Sequence, residues 1–328
     1  MDAALRLLVL VLLMAIVPLH AQDKPKDDSA ETLSAVVRVK ARILPNARSA
    51  ESLGTVREGN GVLIRENLVL TIGYLVIEAD GIEVISGDGK AVPATLAGYD
   101  HSSGFGLLRL VAPIEAKPLP LGDPRELAER DPVMVAAYGG REGLSLAYVV
   151  SRRPFSGSWE YLLDSAIFTY PPVMNWSGAA LIGPKGNLLG IGSLIVADAM
   201  SPGTQSPGNM FVPVDLLKPI LNDLIEKGRA GPVRPWLGMS TEELRGRLFV
   251  SRVSPDGPAA RAGVQRGDIV VGVGSEDVTS LADFYRKVWA RGSAGVDVPL
   301  KVLQGTQVRE LGVRSIDRVE YFRVKPTL

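Results

Sequence analysis

The chain contains no cysteine, and only two histidines among its 328 residues. The first absence excludes disulfides, thiol nucleophiles and cysteine-ligated metals. The second leaves very little imidazole for general-base or metal chemistry. His20 directly follows an N-terminal apolar run, so a chain that loses its first 21 residues keeps His101 alone. Excess charge of either sign is also missing: Lys+Arg and Asp+Glu are both 36. Nucleic acid and acidic membrane surfaces are therefore not implied as partners. No block of like charge and no low-complexity tract interrupts the sequence. The scattered carboxylates form no metal constellation, and no cofactor motif is present.

What the chain does have is a core: 46% of its residues are hydrophobic and 22% charged, the balance of a globular protein. Residues 7–19, LLVLVLLMAIVPL, follow Arg6 and lead into LHA before QDKP. This reads as a secretory signal (1–21) cleaved after Ala21, giving a periplasmic or secreted protein. An uncleaved N-terminal anchor is the alternative; the short run and its terminal Pro18 argue against it. A long exported chain without disulfides fits a bacterial periplasm. Residues 22–33 read as a flexible lead-in.

Short β-branched runs separated by turns fill residues 34 to about 153, among them SAVVRVKARIL, GNGVLIREN, LVLTIGYLVI and LSLAYVVSRR. Even spacing of such runs predicts a barrel or sandwich. Two more strands flank NWSGAAL (175–181). VDLLKPILNDLIEKGR (214–229) carries apolar residues at helical spacing, with Pro219 kinking the helix or setting its start. GPVRP then links to a second unit that alternates strands and helices, a small α/β domain.

In that unit WLGM (236–239), SPDGPAARAGVQRGDIVVGV (254–273) and TSLADFYRKVWARG (279–292) resemble a bacterial PDZ domain, with Gly274-Ser275 departing from the usual Asn-Gly. The resemblance implies that the backbone N–H groups of Leu237, Gly238 and Met239 receive a peptide's terminal carboxylate. The peptide would add as a strand against helix residues Leu281, Phe284 and Val288. By spacing alone, i, i+3 and i+7, those three serve equally well as core.

Residues 34–230 are similar to the trypsin-like domain of the HtrA (Deg) family. GNGVLI (59–64), AAYGGREGLSLAYVVS (136–151), LIGPKGNLLGIGS (181–193) and FVPVDLLKPIL (211–221) match in order. With a PDZ domain at 231–318 and a tail at 319–328, the expected fold is mainly β: a chymotrypsin-like double β-barrel followed by a small α/β PDZ domain. The family's catalytic positions are altered. LTIGYLV (70–76) places Tyr74 at the histidine, YDHSSGFGLLRL (99–110) places Gly104 at the aspartate, and NWSGAAL keeps Ser177 as the nucleophile.

A serine hydroxyl is a weak nucleophile unless a base takes its proton. A phenol, with an ordinary pKa near 10, is mostly protonated at neutral pH. His101 reads as a solvated loop residue, and Lys185 sits in a solvent-facing GPKGN turn. The expected function is a secreted HtrA-like pseudoprotease that binds C-terminal or unfolded peptides. It would assemble as a homo-oligomer, a trimer by resemblance, or with an active relative. Two other readings stay open: an active endopeptidase using Ser177 with an unorthodox base, and a structural partner whose groove is closed.

Overall fold

The computed structural model describes residues 28–322; the expected leader, residues 1–21, lies outside them. Part of the lead-in, read as flexible, is helical: α1 spans Asp28–Ser34. Strands β1 (Val36–Ile43), β2 (Val56–Arg65), β3 (Leu68–Ile72), β4 (Ala79–Ile85), β5 (Ala91–Asp100) and β6 (Phe105–Leu110) close a barrel in the order β1-β2-β3-β6-β5-β4. A second barrel contains β7 (Pro132–Ala136), β8 (Leu144–Gly157), β9 (Tyr161–Tyr170), β10 (Ala180–Ile182), β11 (Leu188–Val196) and β12 (Gly208–Pro213), ordered β10-β11-β12-β9-β8-β7. Closure leaves no free sheet edge. The β-branched runs supply the interior: Val36, Val37, Val39 and Ala41 of β1 are buried, as are Val133 and Val135 of β7. A short helix, α2 (Ala50–Leu53), interrupts the β1–β2 connection. Strand β5, AVPATLAGYD, is absent from the runs read in the sequence; Pro93 and Gly98 break its periodicity.

The expected helix after the barrels is split. A single 3-10 turn covers Val214–Leu216, and α3 (Leu221–Lys227) begins only past Pro219. Proline has no N–H to donate and disfavours helical geometry at the residue before it, so the regular helix starts downstream. Pro232 and Pro235 then lead into a sheet of β13 (Met239–Leu244), β14 (Arg247–Val253), β15 (Ile269–Val273), β16 (Glu276–Asp277), β17 (Asp297–Gln304) and β18 (Gln307–Arg314). Helices α4 (Pro258–Arg261) and α5 (Leu281–Trp289) cover it. Helix α5 starts at Ser280, whose hydroxyl caps the Asp283 N–H. In the tail, α6 (Arg318–Phe322) returns to place Tyr321 against Trp236, ring centroids 4.6 Å apart.

One element reaches out of its barrel. Strand β8 is 14 residues long and pairs with β9 down to Gly157 opposite Tyr161. The resulting hairpin tip, residues 158–160, projects to the C-terminal domain. Leu162 of β9 belongs to the apolar cluster of that domain, with Leu237, Met239, Phe284 and Val288. No helix among the described residues is long and apolar enough to cross a membrane.

Candidate active cleft and peptide groove

The turn that carries Ser177 is built by close backbone approach between the barrels. Asn60 donates its backbone N–H and its side-chain amide to the Ser177 carbonyl, at 2.8 and 2.9 Å. The same amide reaches the Asn175 carbonyl at 3.1 Å, and Asn60 Oδ1 accepts from the Tyr138 N–H. Gly178 adopts φ +73°, and a Cβ there would lie 1.9 Å from the Asn60 carbonyl oxygen. Only glycine fits that position. The backbone N–H groups of Asn175 and Ser177 have no hydrogen-bond partner among the described residues. These are the two donors a Gly-x-Ser turn offers to an oxyanion. Asn175 takes its place without the positive φ its side chain would tolerate.

Tyr74 stands on a 3-10 turn, Gly73–Leu75, at the end of β3. Buried Arg57 fixes that turn by donating to the carbonyls of Tyr74 (2.9 Å) and Ile77 (3.0 Å) and to Ser49 Oγ (2.7 Å). Tyr74 Oη lies 2.8 Å from Ser177 Oγ and 2.9 Å from the Ser193 carbonyl. The phenol has one proton and the carbonyl can only accept. When that proton goes to Ser193, the contact with Ser177 must be donated by the serine itself. Either way both hydroxyls are neutral. Burial pushes the Tyr74 pKa up to about 12. The phenolate fraction at pH 7 is then about 10⁻⁵. The sequence-predicted pair, Tyr74 and Ser177, thus meets in space as a hydrogen bond without a base.

The third position is closed. Gly104 adopts φ +80°, and a Cβ there would meet Tyr161 Oη at 3.3 Å. Tyr161 Oη in turn donates to the Ser103 carbonyl at 2.6 Å. An aromatic ring fills the space beside the turn where a carboxylate would orient an imidazole. Gly104 contributes only its backbone: its carbonyl accepts from the Gly73 N–H at 2.7 Å, and its own N–H donates to the Asp100 carbonyl at 2.8 Å.

His101 is not solvated as its loop sequence implies. It is half-buried, with Nδ1 3.0 Å from Tyr99 Oη and Nε2 against Arg318 Nη1. A guanidinium only donates, so Nε2 accepts and the ring proton sits on Nδ1. Desolvation, with Arg318 adding to it, holds its pKa well below the usual value. Both nitrogens are engaged away from Ser177. Lys185 pairs with Glu126 at 2.7 Å on the exposed surface, as its turn suggests. Trp176 is half-buried, and with Tyr74, Tyr161 and Leu194 it lines a mostly apolar cavity of about 500 Å³.

In the C-terminal domain the expected loop is present and already carries a carboxylate. Glu160, on the hairpin tip, accepts from the N–H groups of Leu237 (2.9 Å), Gly238 (2.7 Å) and Met239 (3.1 Å). It is 4% exposed. Burial pushes its pKa up to about 7, opposed by the three N–H donors and by Arg318. Leu281, Phe284 and Val288 are buried with Tyr285 along one face of α5, in one cluster with Leu162. They serve at once as core and as the wall against the hairpin. Nothing in GSWEYLL marks Glu160 in the sequence; its role depends on a hairpin longer than its barrel.

Two closed barrels with a serine turn between them, joined to a sheet-and-helix unit with an N–H loop, define a trypsin-like peptidase domain followed by a PDZ domain. The chain matches the trypsin-like peptidase domain family over residues 59–191 and the PDZ domain family over 235–314. It is 28% identical over 300 residues to the serine endoprotease DegS of Escherichia coli K12, covering 82% of this chain and 79% of that one. It is also 28% identical over 320 residues to a probable periplasmic serine protease do/HhoA-like of Haemophilus influenzae, covering 88% of this chain and 66% of the other. Among solved structures, the HtrA-type protease AlgW with a tripeptide superposes with a TM-score of 0.53 at 21% identity, covering 89% of this chain and 97% of the other. The chain shares with these HtrA/Deg proteins the order of a trypsin-like peptidase domain followed by a C-terminal PDZ domain.

Proposed function

We propose that this chain is a secreted HtrA-type pseudoprotease, whose barrels serve as a scaffold and whose PDZ domain engages C-terminal or unfolded peptide segments in envelope protein quality control. The contact between Tyr74 and Ser177 carries this reading. A phenol with its pKa raised to about 12 takes no proton from serine near neutrality. Losing the base alone costs on the order of 10⁶ in turnover, about as much as losing the whole triad. Gly104 supplies no carboxylate, and His101 is committed elsewhere. The periplasmic relatives and the N-terminal apolar run support export. Association, as a trimer or with an active relative, is part of this reading and is measurable by sedimentation velocity.

The test is degradation of unfolded casein by the purified protein from Gln22 onward, beside Ser177→Ala, with and without a peptide ending in an apolar residue. Equal background in all samples is expected. Cleavage that disappears in Ser177→Ala overturns the reading in favour of an endopeptidase with an unorthodox base.

A further inference from the structure

A PDZ groove recognises three things in a peptide: a terminal carboxylate, an extended backbone, and an apolar side chain. The hairpin tip of the second barrel presents all three. Glu160 places its carboxylate on the N–H groups of Leu237, Gly238 and Met239. Ser158 offers its carbonyl to the Thr241 N–H of β13 at 2.9 Å, a backbone bond of the kind an added strand makes. Leu162 enters the apolar cluster that includes Leu237, Phe284 and Val288. Three further contacts hold the tip in place. Tyr285 Oη donates to the Gly157 carbonyl at 2.8 Å and receives the Glu160 N–H at 3.2 Å. Arg318 Nη1 donates to the Trp159 carbonyl at 2.8 Å. Glu160 itself adopts φ +60°, which few residues other than glycine tolerate. The tip holds a costly backbone conformation while its carboxylate sits in the loop.

We propose that the 157–162 hairpin is the resident ligand of the PDZ groove, with Glu160 standing where a peptide's C-terminal carboxylate would bind. A partner peptide with a free α-carboxylate and an apolar last side chain then binds only by displacing it. The two carboxylates need the same three N–H groups, so they cannot occupy the loop together. This inference rests on the peptide-binding reading above and adds what the groove holds before a partner arrives.

The test measures fluorescence anisotropy of a labelled peptide ending in a free apolar carboxylate, and of its C-terminal amide. Each is titrated with the protein from Gln22 onward, as wild type and as Glu160→Ala, which leaves no acceptor for the loop. The free acid is expected to bind Glu160→Ala at least tenfold more tightly than wild type, and the amide to gain nothing. Equal binding to both proteins overturns the inference and leaves the peptide-binding reading standing. Hydrogen exchange at the amides of Leu237, Gly238, Met239 and Thr241 separates the remaining cases. If neither protein binds peptide, the peptide reading fails. Exchange at least tenfold faster in Glu160→Ala then still supports the resident hairpin, and unchanged exchange overturns it.

Discussion

Ser177 and Gly238 each sit in a tight turn whose backbone is aimed at a ligand, and the two turns differ in what surrounds them. Around Ser177 the frame is intact: Asn60 ties the turn to the first barrel, Gly178 allows the close approach, and the N–H groups of Asn175 and Ser177 have no partner among the described residues. On the function proposed above, what is missing is a group able to take a proton. Around Gly238 every recognition group is present, and all three N–H donors are already engaged by Glu160. A catalytic site needs one matched pKa beyond its frame, so a single substitution can silence it. A backbone-built binding loop has no side chain to lose, and only an occupant can close it.

The largest effect is expected where the cleft's frame depends on one atom. Gly178→Ala puts a methyl group 1.9 Å from the Asn60 carbonyl oxygen at a positive φ, and should cost more than about 3 kcal/mol in denaturant unfolding. A stable Gly178→Ala protein would show that the turn is not held as described. Next comes the missing base. Tyr74→His restores an imidazole without its carboxylate. A triad lacking the base runs about 10⁶-fold slow and one lacking a productive carboxylate about 10⁴-fold, so casein turnover should rise about 10²-fold. Adding Gly104→Asp should give no further gain, because Tyr161 fills the space and φ is +80°. Asn60→Ala strips the contacts to Asn175, Ser177 and Tyr138 and should cost about 2 kcal/mol, read by chemical denaturation.

The smallest effect concerns pH at the groove. Glu160 has its pKa raised to about 7 when docked, above the ordinary 4.5. Its contribution to docking is therefore complete below about 4.5 and is lost as pH rises through about 7. Arg318, the neutral His101 ring and the Tyr285 hydroxyl surround it; desolvation keeps the latter two uncharged across this range. As pH rises from 6 to 8 the free-acid peptide should bind wild type up to about tenfold more tightly, and Glu160→Gln should show no such trend.

The barrels and the sheet-and-helix domain are legible in the sequence because each rests on local pattern. Alternating β-branched runs mark strands, and Tyr74, Gly104 and Ser177 fall in short motifs with fixed order. Strand β5 escapes that pattern because Pro93 and Gly98 hide its alternation. The loop around His101 reads as solvated because its burial comes from Arg318, 217 residues away. Glu160 is invisible for the same reason. Its partners lie 77 to 79 residues downstream, and only the overlong β8–β9 hairpin brings it to them. Tyr161 shows the other limit: sequence reveals that Gly104 lacks a carboxylate, but not that a ring has taken the space.

The central claim is that Ser177 is an ordinary alcohol. Exposing the protein to an excess of a fluorophosphonate, which phosphonylates only activated serines, and weighing the intact chain tests it directly. No phosphonylated Ser177 is expected from pH 6 to 8. A stoichiometric adduct that is absent in Ser177→Ala would contradict the account and show that some group in the cleft takes the serine proton.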